Sequence, residues 1–172
     1  VSIIGNPQDT ETLISALLID NGIQEKFSNE VIKEVDRIEE DFYAEIEDRK
    51  DLRHLNIITI DGADAKDLDD AVYVEKTDIG YKLYVSIADV SYYVKEGTEL
   101  DTEALKRGNS IYLVDRVIPM LPRKLSNNLC SLNPHEDKLT FTVEIDFDAR
   151  GKVIGNDFYK SVMKSKYRMT YT

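Results

Sequence analysis

Residues 57–74 have the sequence IITIDGADAKDLDDAVYV. Apolar, β-branched runs at 57–60 and 71–74 flank a polar loop, and such runs are typical of strands. The loop carries five aspartates in ten residues, at positions 61, 64, 67, 69 and 70. Carboxylates this dense repel one another unless a cation lies among them. The stretch therefore predicts two strands that hold a site for a divalent cation with oxygen ligands, Mg²⁺ or Mn²⁺.

Two other structures could account for the aspartates: an EF-hand calcium site, or an Asp-rich turn that is solvated or binds Ca²⁺ weakly. An EF-hand needs acidic or amide side chains at loop positions 1, 3 and 5, Gly at 6 and Glu at 12. A loop starting at Asp61 places Ala63 third, and one starting at Asp67 places Ala71 fifth, so both registers fail. A solvated Asp-rich turn, or a weak Ca²⁺ site in such a turn, stays open as an alternative. The β-branched flanks and a single interleaved lysine, Lys66, favour the metal site.

The motif DGADAKDLDDA at 61–71 resembles the catalytic signature of the ribonuclease II/ribonuclease R family, the RNB domain. Gly62 is a mild departure from the family pattern. The segment DRKDLR at 48–53 is most similar to the bacterial ribonuclease R branch. Four further blocks resemble the family in the same order: IADVSYYV at 87–94, RGNSIYL at 107–113, IPMLP at 118–122 and KLSNNLCSLNP at 124–134.

The resemblance implies an activity and a carboxylate cluster. The activity is processive, Mg²⁺-dependent hydrolysis of single-stranded RNA from the 3′ end to 5′-mononucleotides, with Mn²⁺ as a substitute. Matching positions imply that Asp61, Asp67, Asp69 and Asp70 hold metal. Asp69 and Asp70 are also the implied catalytic residues, which place the metal and the attacking water. A bound ion of this kind polarises a phosphoryl oxygen and lowers the pKa of its water.

Three further side chains are candidates for RNA binding. Tyr112 lies in a short predicted strand at 110–113, where the residue alone is consistent with a core position. The resemblance implies that Tyr112 stacks on the last base and that Tyr171 lies near the 3′-terminal nucleotide; stacking suits any base sequence. Arg123 and Lys124 follow two prolines and either meet phosphates or face water. The expected substrates are single-stranded RNA and structured RNA with a 3′ overhang.

The sequence predicts an α+β fold: N-terminal helices, then a mixed, largely antiparallel sheet with hairpins, as part of an RNB domain. Residues 1–56 are predicted as a helical extension and 57–172 as the N-terminal part of the catalytic domain. Predicted helices cover 9–20, a stretch with Ser28 as N-cap, and 100–107 before Gly108. Predicted hairpins join 72–75 to 82–87 and 139–147 to 152–160. Residues 1–7 are predicted as the tail of a strand that turns at 5–7, and 39–53 as a charged helix or linker.

Asp89 follows the second hairpin strand and leaves two possibilities. It returns a sixth carboxylate to the aspartate loop, or it caps the turn at 90–91. Cys130 is the lone cysteine, which excludes an internal disulfide, and its apolar neighbours predict burial. His54 and His135 have no motif around them, so a histidine-driven ribonuclease mechanism has no support.

Composition limits the class of protein. No apolar run is long enough to span a membrane, so we expect a cytoplasmic protein with no membrane partner. The net charge of −11 argues against a plain nucleic-acid-binding module. Residues 1–56 carry 14 acidic and 6 basic side chains, whereas 151–172 carry five basic and one acidic. This distribution is typical of an acidic catalytic segment whose RNA contacts lie elsewhere.

The resemblance also implies neighbouring domains, of cold-shock type before the chain and S1 type after it. We therefore expect the chain alone to be inactive, to expose apolar surface and to self-associate. Two rivals remain: a non-enzymatic acidic interaction domain, and a metal-dependent phosphodiesterase of another kind.

Overall fold

The computed structural model describes residues 4–39 and 42–171. They form an α+β fold with a mixed, mostly antiparallel sheet, which confirms the predicted class. The helices are α1 (Thr10–Asp20), α2 (Asn29–Asp36), α3 (Tyr43–Ile46), α4 (Val90–Tyr93) and α5 (Glu99–Arg107), with a π-helical turn at Leu125–Leu129. The strands are β1 (Lys50–Asp51), β2 (Ile58–Asp61), β3 (Asp70–Lys76), β4 (Gly80–Ala88), β5 (Ile111–Tyr112), β6 (Val117–Ile118), β7 (Asp137–Asp148), β8 (Val153–Lys164) and β9 (Tyr167–Thr170).

Within residues 4–39 and 42–171, seven strands form the main sheet in the order β1-β8-β7-β4-β3-β2-β9, and β5 pairs with β6 in a separate hairpin. The edge strands β1 and β9 run parallel to their neighbours, and the other pairs are antiparallel. Both predicted hairpins, β3–β4 and β7–β8, are confirmed. Gly80 is required where β4 begins, because a Cβ there would lie 2.1 Å from the carbonyl oxygen of Phe147.

Local signals place the helix ends correctly. The Ser28 hydroxyl accepts a 3.2 Å hydrogen bond from the amide of Val31, as its predicted N-cap role requires. Helix α5 ends at Gly108, whose φ of +73° is a left-handed conformation that favours glycine. No described helix has the length and apolar content needed to cross a membrane.

The main sheet has one covered face and one open face. Helix α2, helix α4 and the turn at Leu125–Leu129 contribute side chains to the core on the covered face. On the open face, one cross-strand row joins six apolar residues of neighbouring strands: Tyr167, Ile58, Val72, Val85, Val143 and Phe158. Several side chains in and beside this row are exposed. The expected exposure of apolar surface is therefore observed.

The predicted helix or linker at 39–53 is wrong at its end. Residues 50–51 form β1, which pairs with β8, and Arg49 is buried beside it. The guanidinium of Arg49 lies 2.7 Å from Asp89 and also donates to the carbonyl oxygens of Thr140 and Ser161. Because an isolated buried charge is costly, Arg49 needs this carboxylate partner. Residues 40–41 lie outside the described residues.

Three smaller predictions have clear outcomes. Cys130 is buried, 3% exposed, as predicted. His54 and His135 are both exposed, and His135 has a φ of +67°. Ile4 forms no strand, so the predicted strand tail is wrong there, but a turn follows in which the amide of Asp9 donates to the carbonyl oxygen of Asn6. Residues 1–3 lie outside the described residues.

Candidate active site

One cavity of about 650 Å³ opens beside the aspartate loop. Its walls combine the loop, the β5–β6 hairpin and the segment around the Leu125–Leu129 turn. The lining residues are Asp61, Asp64, Ala65, Lys66, Asp67, Asp69, Asp70, Ser110, Tyr112, Val117, Pro119, Arg123, Ser126 and Asn127. All five aspartates of the motif therefore face a single concave site.

The strands on either side of the loop fix the outer carboxylates. Asp61 is the last residue of β2 and Asp70 is the first of β3. Between them, the buried side chain of Leu68 anchors the loop in the core. Asp67 and Asp69 flank this anchor in sequence, which leaves both carboxylates on the cavity side.

Ser131 holds the loop backbone by hydrogen bonds, a contact called the Ser131 brace below. Its hydroxyl donates to the carbonyl oxygen of Lys66 at 3.0 Å and accepts from the amide of Leu68 at 3.1 Å. The amide of Leu132 adds a 2.8 Å bond to the carbonyl oxygen of Leu68. The backbone on both sides of Asp67 is thus hydrogen-bonded to the Ser131–Leu132 segment, which fixes where that carboxylate points.

The loop carries unbalanced negative charge. Burial raises the pKa of Asp61, the charges of Asp70 and Asp67 raise it further, and Arg168 acts in the opposite direction. Desolvation also raises the pKa of Asp69, followed by the charges of Asp67, Asp70 and Asp61. One carboxylate oxygen of Asp61, Oδ2, is buried without a hydrogen-bond partner. A cation at the cavity would relieve both the repulsion and the unpaired oxygen.

The donor set matches a hard divalent cation in kind, because every candidate ligand is a carboxylate oxygen. As they stand, no three carboxylate, histidine or cysteine side chains among residues 4–39 and 42–171 form a group that could hold a metal ion. The aspartates therefore fit a metal by chemistry and by shared cavity, and an ion would draw them together or take further oxygen ligands from a substrate. The metal assignments of Asp61, Asp67, Asp69 and Asp70 stay predictions.

The RNA-binding candidates occupy different places. Tyr112 is 66% exposed on the cavity wall, and its hydroxyl donates a 2.9 Å hydrogen bond to Asp67, which raises the pKa of Tyr112. Arg123 lines the same cavity. Lys124 instead donates to the carbonyl oxygens of Asp36 and Ile38 at the end of α2. Of the two basic residues left open by the sequence, only Arg123 is placed to meet a ligand in this cavity.

Tyr171 and Asp89 do not line the cavity. Tyr171 is 75% exposed, and its amide donates to the carbonyl oxygen of Asp61 at 3.3 Å, so it lies next to the site. Asp89 pairs with Arg49 and accepts a 2.7 Å hydrogen bond from the hydroxyl of Ser91. The possibility that Asp89 supplies a sixth carboxylate to the loop is therefore wrong.

Sequence reasoning missed several residues at the site. Ser126, Asn127 and Ser131 belong to the block KLSNNLCSLNP, so the resemblance marks the segment without assigning their contacts. Arg168 has no such signal: it is one basic residue among several in 151–172. Its guanidinium nevertheless donates to three carbonyl oxygens of the aspartate loop.

Comparisons of sequence and of structure with known proteins identify relatives of the same kind. The RNB domain matches residues 49–172. Ribonuclease R of Aquifex aeolicus is 50% identical over 173 residues, which cover 99% of this chain and 24% of that protein. The structure of Mycoplasma genitalium RNase R in complex with double-stranded RNA superposes with a TM-score of 0.95 at 38% identity, over 99% of this chain and 31% of the other. The chain thus spans about a quarter of the length of the Aquifex relative.

A more distant structure, yeast Ssd1, described as a pseudonuclease, superposes with a TM-score of 0.82 at 21% identity. This likeness extends to the fold alone. The fold therefore does not by itself imply nuclease chemistry. Only the residues of the cavity can indicate which chemistry this chain supports.

Proposed function

The chain belongs to the RNB domain family, and on that premise we propose that it supplies the aspartate site of a metal-dependent 3′-to-5′ exoribonuclease. The reaction is processive hydrolysis of RNA phosphodiester bonds to 5′-mononucleotides. The observation that carries the proposal is one cavity lined by five aspartates, an exposed tyrosine and an arginine. This set combines ligands for a cation, a stacking surface for a base and a positive charge for a phosphate.

Asp61, Asp67, Asp69 and Asp70 would hold a divalent cation, Mg²⁺ with Mn²⁺ as a substitute. When bound, such an ion supplies Lewis-acid polarisation of a phosphoryl oxygen and a water of lowered pKa. Within the chain, Asp61 and Asp70 are fixed by strand ends and Asp67 by the Ser131 brace. Asp69 and Asp70 orient the attacking water from the exposed side of the loop. The protein's part in catalysis is thus positioning and charge.

The ring of Tyr112 stacks on a base, and Arg123, which lines the same cavity, meets a phosphate. Tyr171 contacts the terminal nucleotide from beside Asp61. Stacking and phosphate contacts carry no base preference, which suits an enzyme that degrades any sequence. The relative from M. genitalium was solved with double-stranded RNA and with ribose-methylated single-stranded RNA, which supports RNA as the ligand here. We assign the remaining RNA contacts to cold-shock and S1 domains of the whole protein.

The test is degradation of a 5′-end-labelled RNA by the full-length protein with Mg²⁺. The proposal predicts a ladder that shortens steadily from the 3′ end, and no cleavage of a circular RNA of the same sequence, which has no end. Discrete internal products, or cutting of the circle, would assign a different metal-dependent phosphodiesterase. Intact RNA in every lane would favour the non-enzymatic interaction domain.

One observation favours the non-enzymatic rival enough to test it. Among residues 4–39 and 42–171, no three carboxylate, histidine or cysteine side chains already form a group that could hold a metal ion. In a loop that never binds a cation, burial and then the neighbouring aspartate charges, which together raise the pKa of Asp69, only destabilise the fold. The rival predicts that Asn substitutions at Asp67 and Asp69 stabilise the fold and leave divalent-cation binding unchanged. The proposed site predicts the loss of that binding.

A further inference from the structure

Arg168 connects strand β9 to the aspartate loop. It pairs with Thr59 of β2 across the sheet edge. Its side chain reaches past the end of β2, where one guanidinium nitrogen, Nη2, lies 3.2, 2.9 and 2.7 Å from the carbonyl oxygens of Gly62, Ala63 and Ala65. Hydrogen bonds from a charged donor are stronger than those between neutral groups. Three carbonyl oxygens within four residues of the loop are therefore held by one side chain.

The same segment has few other restraints. Within the described residues, its own backbone contributes one hydrogen bond, from the amide of Ala65 to Gly62 at 3.1 Å. Gly62, Ala63 and Asp64 are exposed, and a Cβ added at Gly62 would meet nothing within 4 Å. The Ser131 brace acts only from Lys66 onward. Ala65 also packs against the core, so it is residues 62–64 that owe their course between the two fixed ends mainly to Arg168.

We propose that Arg168 is a positioning residue: it holds the link between the end of β2 and the Ser131 brace against β9, and so keeps the two fixed ends, with Asp61 and Asp67, at one cavity. The inference rests on the proposed function, because it assumes that these carboxylates bind a divalent cation. Arg168 itself touches neither substrate nor metal in this role. It acts through the loop backbone, as groups behind the direct ligands of a metal commonly do.

Whether removal of Arg168 tightens or weakens divalent-cation binding distinguishes an electrostatic role of this side chain from a positioning role. A positive charge near a cation site repels the cation, so removing Arg168 should tighten divalent-cation binding if charge alone matters. If Arg168 positions the ligands, its removal should weaken binding although the site becomes more negative. A purely structural role predicts a third result, loss of fold stability. Arg168 is exposed on an edge strand and contributes nothing to the buried core, so little loss is expected.

The test is titration of Mn²⁺ into the full-length protein, by calorimetry, for Arg168→Met, Arg168→Lys and the unaltered protein. We expect Arg168→Met to weaken binding at least tenfold with an unchanged melting temperature. Arg168→Lys should recover most of the affinity, because an ammonium group keeps a charged donor for the same carbonyl oxygens. The matched control is Arg150→Met, which removes an exposed charge from the turn between β7 and β8 and should leave binding unchanged.

Unchanged or tighter Mn²⁺ binding by Arg168→Met would overturn the inference, as would a melting temperature lowered in step with affinity. Asp67→Asn is titrated in parallel to separate this failure from that of the proposed function. If Asp67→Asn loses binding and Arg168→Met does not, only the positioning role fails. If Asp67→Asn binds Mn²⁺ as well as the unaltered protein, the aspartate site itself is wrong, and the role of Arg168 falls with it.

Discussion

The hydroxyl of Tyr112 donates a 2.9 Å hydrogen bond to Oδ2 of Asp67, so an exposed aromatic ring and a proposed metal ligand are joined in one unit. The ring is free to stack, while the hydroxyl fixes one carboxylate oxygen. Because hydrogen bonds to ligating carboxylates orient them, the two parts of Tyr112 should be separable by mutation.

We expect Tyr112→Phe to lower turnover of the full-length enzyme about tenfold while RNA affinity in EDTA stays within a factor of two. Tyr112→Ala should also weaken metal-free RNA binding, by about 1–3 kcal/mol, because the stacking surface is lost. Single-turnover rates and fluorescence anisotropy measure the two quantities. Tyr81→Phe, a distant exposed tyrosine on β4, is the control. Equal turnover of Tyr112→Phe and the unaltered enzyme would remove any role for the hydroxyl.

The buried ion pair of Arg49 and Asp89 predicts a strong coupling in stability. Each side chain is almost fully buried, and the two lie 2.7 Å apart. Arg49→Met or Asp89→Leu alone should cost about 3–5 kcal/mol, because each leaves the other charge buried and unpaired. The double variant should lose at least about 2 kcal/mol less than the sum of the single losses. Urea unfolding of the four proteins measures this cycle, and simple additivity would show that the pair is not coupled.

Glu144 predicts how stability depends on pH. Burial raises its pKa, but hydrogen bonds from Lys50, Lys82 and Tyr159 outweigh burial and lower the pKa to about 2, from an ordinary 4.5. A lowered carboxyl pKa adds stability that is complete above pH 4.5 and is lost as the pH falls towards 2. Glu144→Gln should therefore cost about 3 kcal/mol at pH 7.

Denaturant unfolding between pH 2 and 7 measures this effect. The difference between Glu144→Gln and the unaltered chain should shrink steadily below pH 4.5. Glu96→Gln, an exposed glutamate after α4, should show no such change. A difference that stays constant down to pH 2 would contradict the role given to the Glu144 carboxylate.

The open face of the sheet predicts that the 172-residue chain self-associates. Val74, Ile87, Phe141 and Phe158 are all more than 40% exposed on adjacent strands, and contiguous apolar surface of this kind drives association. Sedimentation velocity should show a rising sedimentation coefficient with concentration in the micromolar range. Phe141→Lys should reduce it, whereas Leu105→Lys on α5, an isolated residue 82% exposed, should not. A monomer at all concentrations would refute this prediction.

Sequence signals that act over a few residues predict much of the fold. The N-cap of Ser28, the stop at Gly108 and the two hairpins depend on contacts within a few residues, and each is where the sequence places it. The aspartate loop is predicted from the same kind of signal, because its carboxylates and its flanking strands are adjacent in the sequence. Their shared cavity follows from that contiguity.

Contacts between distant residues could not be predicted in the same way. Arg168 meets the loop carbonyls more than a hundred residues away, and this depends on β9 lying parallel to β2 at the sheet edge. Arg49 was assigned to a solvated stretch because burial of a charge is expected only when its partner is known. Asp89 accepts a hydrogen bond from Ser91 at the turn, one of its two expected places, but the sequence gives no sign of its pairing with Arg49.

Turnover and RNA affinity of Asp69→Asn in the full-length enzyme test the proposed aspartate site most directly. Single-turnover cleavage with Mg²⁺ should be abolished while RNA binding remains within a factor of two, because Asp69 would place metal and water rather than RNA. The control is Asp78→Asn in the exposed turn between β3 and β4, which should cleave normally. Normal cleavage by Asp69→Asn, or loss of RNA binding in step with activity, would show that Asp69 does not have this role.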